Sequence, residues 1–404
     1  MYINLSWRNI WRNKKRTLIA VASVFFAVII AVSTRSMQLG SYAYMIKSTA
    51  HFYTGFLQIQ QKGYWDNQSL DYTMDADSIN YQTVASVAHV TAVAPRLESF
   101  ALLSYGKTTR VGQVIGIDPI KENRATNLKS RLVKGRYLNP EDRAVLISQG
   151  LAKMLNISVG DSLILYGQAY QGQIAAGLLP VQGIVKYPVS ELNNTMVYLP
   201  LPVAQELYLT GNRLTSLAVM IDAERHLDFV KSHLTAVIPP HYTVLDWKAM
   251  LPDLHESIQF DNVSGKIMLA ILYVVIAFGV FGTIIMMMNE RKREFGILIS
   301  IGMKKIRLIF VTFYEILFIS FIGALSGILG AIPIVWYFSL HPIHMSGPAA
   351  QVYDMLGIEP IFCFSTNPYI FLNQALVVFI IALVTFAYPL FFLRRLQPST
   401  AIRS

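Results

Sequence analysis

Few residue groups in this chain could do covalent or phosphate chemistry, and each fails on spacing. Gly106-Lys107-Thr108 has the ending of a phosphate-binding loop, in which backbone N–H groups cradle phosphate and the lysine meets its charge. Such a loop needs another glycine five positions earlier, where this chain has Ala101. His341 and His344 could share a helix face, but no carboxylate or cysteine completes a metal set around them. His226 and His233 read as exposed positions on an amphipathic helix. No Gly-x-Ser-x-Gly elbow occurs, and no Ser/His/Asp set can be assembled. Cys363 is the only cysteine, so no internal disulfide can form. The expectation is a chain with no catalytic residue and no metal site.

Two features remain that could carry function without catalysis. Glu290-Arg-Lys-Arg-Glu294-Phe-Gly296-Ile-Leu-Ile-Ser-Ile-Gly302-Met-Lys-Lys-Ile-Arg307 is a dense block of charge between two long apolar runs. Phe295, Leu298, Ile299 and Ile301 to Met303 interleave with the charges, which predicts a short amphipathic helix. It is either a foot pressed on a partner or a solvated topology signal. Glu315 is the one acid inside an apolar span. An acid there is costly and marks either a functional site or a structural partner near Arg307.

Composition says what must position these features. The chain is 53% hydrophobic and 14% charged, against about 25% charged in ordinary soluble domains. Four segments reach the length needed to cross a hydrocarbon core: Thr17 to about Met37, Ile267 to Asn289, Leu308 to about Tyr337, and Tyr369 to Leu393. Basic residues precede the first span (Arg8, Arg12, Lys14, Lys15, Arg16), fill the loop after the second, and follow the fourth (Arg394, Arg395, Arg403). The connection from His341 to Pro368 has no Lys or Arg. Lys and Arg stay on the cytoplasmic side, so both termini are expected inside. The net charge of +10 is then a topology signal and gives no reason to invoke nucleic acid. The first span is longer than a signal-peptide core and reads as an uncleaved anchor, with Arg35 snorkelling to the outer interface.

The predicted fold class is an α-helical membrane protein with four transmembrane helices and a large α+β extracytoplasmic domain inserted between the first and second. Residues 1–16 form a cytoplasmic segment, 17–40 the first span, 41–265 the outer domain in two lobes, and 266–289 the second span. Residues 290–307 form the basic connection, 308–339 the third span, 340–368 an outer loop, 369–393 the fourth span and 394–404 the tail. In the first segment Ile3, Trp7, Ile10 and Trp11 fall on one helical face, with Arg8, Arg12 and Lys15 elsewhere. That is the pattern of an interfacial helix lying in lipid headgroups, or of a plain topology anchor. Gly323, Gly327 and Gly330 let the third span approach another helix closely, within this chain or in a dimer. In the outer region 56–60, 111–117 and 163–166 alternate as strands, and 224–237 carries one apolar stripe. Residues 167–177, rich in Gly and Gln, read as a loop or hairpin tip.

In order and spacing the chain resembles the permease family that includes the lipoprotein-releasing LolC and LolE, the exporter MacB and the division protein FtsX. The resemblance rests on Trp7-Arg8-Asn9-x-x-Arg12-Asn13-x-x-Arg16-Thr17, Gly116-Ile-Asp118-Pro, Gly135-Arg136, Val159-Gly160-Asp161 and Gly183-Ile-Val185. It continues with Asn289-Glu290-Arg291-x-x-Glu294-Phe-Gly296 through Ile301-Gly302, Glu315 with the glycines, and Pro398. It implies a bacterial inner-membrane permease that pairs with an identical or homologous second permease chain. It implies two cytoplasmic ABC ATPase subunits that carry ATP and Mg, so this chain binds no cofactor itself. The basic block then resembles a coupling helix, with Glu290, Arg291 and Glu294 making polar contacts to the ATPase. Phe295, Leu298 and Ile299 would fill its groove, with Gly296 and Gly302 belonging to the same ATPase-coupling set. The resemblance is nearest to the LolC/LolE branch, because MacB carries its ATPase ahead of the first span, where only 16 residues stand here. That branch implies extraction of lipoprotein from membrane lipid and a periplasmic carrier, for which 167–177 occupies a comparable place. Export of another amphiphile, or a scaffold that passes force to a periplasmic partner, are the other readings.

Overall fold

A computed structural model describes residues 2–12, 14–348 and 361–397. Asn13 and Pro398 of the motif series, and Arg403 of the tail, lie outside the described residues. The chain falls into two compact units, one of Met1–Tyr42, Ile258–His344 and Ile361–Ser404, the other of Ala43–Ser257 and Met345–Pro360.

The first unit is helical: α1 (Tyr2–Arg12), α2 (Lys14–Thr49), α3 (Pro252–Glu290), α4 (Lys292–Ser300), α5 (Lys305–Leu340), α6 (Pro368–Val384) and α7 (Ala387–Arg395). Four stretches are long and apolar enough to cross a membrane: Thr17–Thr49, Pro252–Glu290, Lys305–Leu340 and Pro368–Arg395. The first two overrun the ends expected at 40 and 266. Hydropathy reports where the chain is apolar, whereas the helix persists through helix-compatible polar residues until a start such as Pro252, which suits a first helical turn. The fourth stretch is broken between α6 and α7, where the Thr385 hydroxyl turns back to the Ala382 carbonyl at 2.6 Å.

Close packing of α2 on α5 organises this unit. A Cβ on Gly323 would lie 2.6 Å from Cβ of Val24, and one on Gly327 2.7 Å from Cβ of Val28. The glycine series therefore serves a contact within the chain. On α2, the Arg35 guanidinium donates to Gln38 at 2.6 Å and to Asn262 of α3 at 3.0 Å. The segment before α6 docks on α2 by paired bonds between Ser36 and Ser365, at 2.7 and 3.0 Å.

The second unit is the inserted domain. Its strands are β1 (Leu57–Gln61), β2 (Val90–Tyr105), β3 (Thr108–Ile117), β4 (Leu132–Gly135), β5 (Val145–Ser148), β6 (Ser162–Gln168), β7 (Ile174–Val185), β8 (Met196–Pro200), β9 (Ser216–Ile221) and β10 (Tyr242–Asp246). These ten form one sheet in the order β10-β1-β9-β2-β3-β8-β5-β7-β4, with β6 pairing β2 and β7, and the two-residue strands Met74–Asp75 and Arg213–Leu214 pair separately. Parallel pairs β3·β8 and β5·β7 sit among antiparallel ones, the mixture expected of α+β. One sheet runs through the domain, with β2 and β3 paired over ten residues at its middle. Residues 167–177 prove to be mostly strand, with only 169–173 left as the hairpin tip between β6 and β7.

A buried charge cluster anchors this sheet. Arg96 donates to both carboxylate oxygens of Glu122 at 3.0 and 2.6 Å, with Glu98 3.8 Å away, and all three are buried. Burial alone would lower the Arg96 guanidinium, but the charge and hydrogen bonds of Glu122 outweigh it and hold it above its ordinary range. Burial raises Glu98, and pushes the neighbouring Tyr198 phenol up to about 12.

Candidate functional site

α4 forms because the sequence caps it. Gly302 has φ +100°, the left-handed conformation that ends a helix cheaply only as glycine. Its N–H meets the Ile299 carbonyl at 3.0 Å, and the Met303 N–H meets that of Leu298 at 3.0 Å. The chain thus turns sharply from α4 into α5.

The helix buries one edge and presents the other. Phe295 and Gly296 are buried, Ile299 is half-buried, and Glu290, Arg293, Glu294, Ile297, Leu298 and Ile301 are exposed, Ile301 by 79%. Three of the expected docking residues are therefore reassigned. Phe295 packs in the apolar core of the helical unit, and Gly296 lies on the same inner side. Arg291 turns inward, its guanidinium stacked 5.0 Å from the Phe295 ring centroid. The outward apolar edge is made by Ile297, Leu298 and Ile301, with Arg293 on the same i, i+4, i+8 row as Ile297 and Ile301.

Arg291 explains Glu315. The two side chains are ion-paired and buried, Glu315 to 2% exposure. Asn9 of α1 completes the site by donating its Nδ2–H to Glu315 Oε1 at 2.7 Å. A carboxylate in an apolar interior is stable only when its charge is matched and its oxygens are hydrogen-bonded, and both conditions are met. The node therefore joins α1, the turn before α4, and α5. A second layer continues it toward the surface, where Arg12 lies 3.0 Å from Glu294 and Arg291 Nε lies 3.5 Å from the same carboxylate.

α1 reads differently on its two faces. Ser6, Asn9 and Ile10 pack inward, Ser6 donating to the Val311 carbonyl at 2.9 Å. Ile10, expected on the lipid stripe, belongs to this inner face. Ile3, Trp7 and Trp11 are exposed, and Trp7 sits edge-on to Phe318 with ring centroids 5.5 Å apart. Arg8 and Arg12 are exposed beside them. Ser6, Arg293 and Ile297 were not singled out from the sequence, and Asn9 entered only as a motif position and Ile301 only as part of the motif and the apolar periodicity. The signals available were a small-polar stripe at Ser6/Asn9 and the i, i+4, i+8 row in α4. No catalytic set assembles around this node among the described residues; what it can do is hold three helices in one register. A potential metal-ligand group does exist elsewhere, at His89, Asp222 and His226 of the inserted domain. Its members lie too far apart in sequence for spacing to reveal, and His226 sits in a 3₁₀ turn ahead of the helix Leu227–Val237 on which it was expected.

The family model for the FtsX-like permease C-terminal region matches residues 266–398, and that for the MacB-like periplasmic core domain matches residues 17–237. The lipoprotein-releasing system transmembrane protein LolC of Xylella fastidiosa (strain Temecula1) is 24% identical over 328 residues, 78% of each chain. LolC of Neisseria meningitidis serogroup B is 23% identical over 261 residues, 61% of each chain. The macrolide export ATP-binding/permease protein MacB of Aggregatibacter actinomycetemcomitans is 20% identical over 332 residues, 78% of this chain and 50% of that one. Among solved structures, the periplasmic region of MacB from Actinobacillus actinomycetemcomitans is 17% identical. It covers 50% of this chain and 91% of its own, with a TM-score of 0.34.

Proposed function

Because the chain belongs to the MacB- and FtsX-like family of ABC transporter permeases, we propose that it is the membrane subunit of an ATP-driven transporter that works by mechanical transmission. In this reading α4 rests on a cytoplasmic ATPase, where ATP and Mg are bound, and both termini lie on that side with the basic segments. The inserted domain is periplasmic. A second permease chain, identical or homologous, completes the membrane part in the inner membrane.

The observation that carries the reading is the buried Arg291–Glu315–Asn9 node. A push on the exposed edge of α4 cannot be absorbed by a loose loop, because Arg291, one residue before the helix, is locked to α5 and α1. α3 ends one residue before Arg291, so the same push reaches the base of the helix that leads into the inserted domain. The node is thus a rigid joint between an ATPase-facing foot and the helices that rise from it.

The substrate proposed is an amphiphile, with lipoprotein release the preferred case because LolC proteins are among the relatives. The inserted domain supports this with an exposed apolar row across three strands. Leu102 pairs with Val111 and with Tyr166, and all three side chains share one face with 44%, 62% and 49% exposure. Such a patch on a sheet marks a surface for an apolar ligand or a protein carrier. Export of a different amphiphile, as in MacB, is the second reading. Native mass spectrometry of the complex purified with its genomic neighbours tests both. Two ATPases with triacylated lipoprotein support release; two ATPases with another amphiphile support export; no ATPase contradicts the whole reading.

A further inference from the structure

We propose that His89, Asp222 and His226 form a binding site for a divalent transition metal, Zn²⁺ by preference, on the inserted domain. The sheet itself creates the site. β9 and β2 are antiparallel neighbours whose last pair is Ile221 with Val90. The residues just beyond that pair, Asp222 and His89, are therefore forced together, and the Asp222 N–H donates to the His89 carbonyl at 3.1 Å. His89 has φ +71°, a left-handed backbone that is uncommon for a residue with a side chain and is kept where the surroundings impose it. A 3₁₀ turn at Glu224–His226 then brings the second imidazole back over the first.

The donor atoms converge. Nδ1 of His89 lies 2.9 Å from Oδ2 of Asp222, and Nδ1 of His226 lies 2.7 Å from Oδ1. The rings stack with centroids 3.6 Å apart, and Phe229 closes one side edge-on to His89 at 5.8 Å. One ligand atom from each residue falls within 4.8 Å of the others. Tetrahedral Zn²⁺ with bonds of about 2.0–2.1 Å separates its ligands by roughly 3.3 Å. Because the stacked rings hold their Nδ1 lone pairs in nearly parallel planes, one imidazole must rotate out of the stack for both nitrogens and a carboxylate oxygen to converge on an ion. Two imidazoles and one carboxylate suit Zn²⁺ and its neighbours in the first transition row, and side-chain exposures of 37%, 43% and 21% leave the remaining position to water.

Arg225 sets the affinity. Its Nε–H donates to His226 Nε2 at 3.2 Å, which places the ring proton on Nδ1, facing Asp222. A metal on Nδ1 needs that proton on Nε2 instead, so the exposed Arg225 must swing away. In this arrangement the ion staples the ends of two strands to the turn that follows them.

The test is Co²⁺ titration of the tag-free full chain in detergent after chelator treatment. It follows the visible absorption of tetrahedral cobalt, then competition between Zn²⁺ and a chromophoric chelator. The expected result is one equivalent per chain, with affinity weakened about tenfold or more in Asp222→Asn and His226→Ala, and tightened in Arg225→Ala. Circular dichroism of each variant separates a lost site from a lost fold. Absence of tetrahedral cobalt at millimolar metal, or unchanged binding in folded His226→Ala, would overturn the proposal.

Discussion

Glu315 and Arg291 meet where neither charge would be tolerated alone. Removing one partner leaves an uncompensated buried ion, at a cost of about 3–5 kcal/mol, whereas replacing both by apolar residues is often neutral or better. Glu315→Ala should therefore lower the thermal midpoint of the detergent-solubilised chain markedly, and Arg291→Met/Glu315→Leu should recover most of it. Were the single variant as stable as the parent, the node would be no structural joint. Only half of this pair was legible beforehand. A lone acid in an apolar span demands a partner, but Arg307 two turns away was the visible candidate, and the chain reversal that selects Arg291 is a tertiary fact. Asp246 gives a pH handle in the inserted domain. Partial burial would raise its pKa, but the Lys231 hydrogen bond, the Ala249 N–H and nearby charge outweigh that and leave it lowered. A lowered folded pKa means stabilisation in full above the unfolded value and lost as pH falls through the folded one. The domain should weaken on acidification below about pH 4, and an Asp246→Asn chain should show a flatter melting profile over that window.

At the level of elements, apolar length and charge position were sufficient to find the long helices, because membrane crossing is governed by composition. The ends of α2 and α3 next to the inserted domain were not legible, since both helices continue through polar residues that hydropathy does not distinguish from loop. Helical periodicity in α4 was visible, but which edge faces inward was not. Phe295 and Ile301 look equally apolar in sequence, yet one is 1% exposed and the other 79%. In the inserted domain, alternation marked several strands, while the order of the sheet and the Arg96–Glu122 pair depend on contacts distant in sequence. The α2–α5 seam was legible as close packing only. Gly323→Leu places a side chain where even a Cβ would be 2.6 Å from Val24. Overpacking of this kind costs about 1–3 kcal/mol, so that variant should melt earlier than Leu325→Phe, at a 49% exposed position on the opposite side of α5; equal melting would argue against the seam.

Across the whole molecule, the account joins an exposed foot to a buried joint and then to the helices that lead to the inserted domain. A foot can be blunted without harming the fold. Ile301→Glu changes an exposed residue and should alter stability by no more than about 0.5 kcal/mol, while transport and substrate-stimulated ATP hydrolysis in the assembled complex fall together. Gly296→Trp cannot serve this purpose, because Gly296 is buried and the variant would disturb packing first. The most direct test is site-specific cross-linking in a Cys363→Ser background, with single cysteines at Arg293, Ile301 and Phe295 and the co-expressed ATPase as target. The account predicts ATPase cross-links from positions 293 and 301 and none from 295. Cross-linking from 295 alone, or from none of the three, would contradict it.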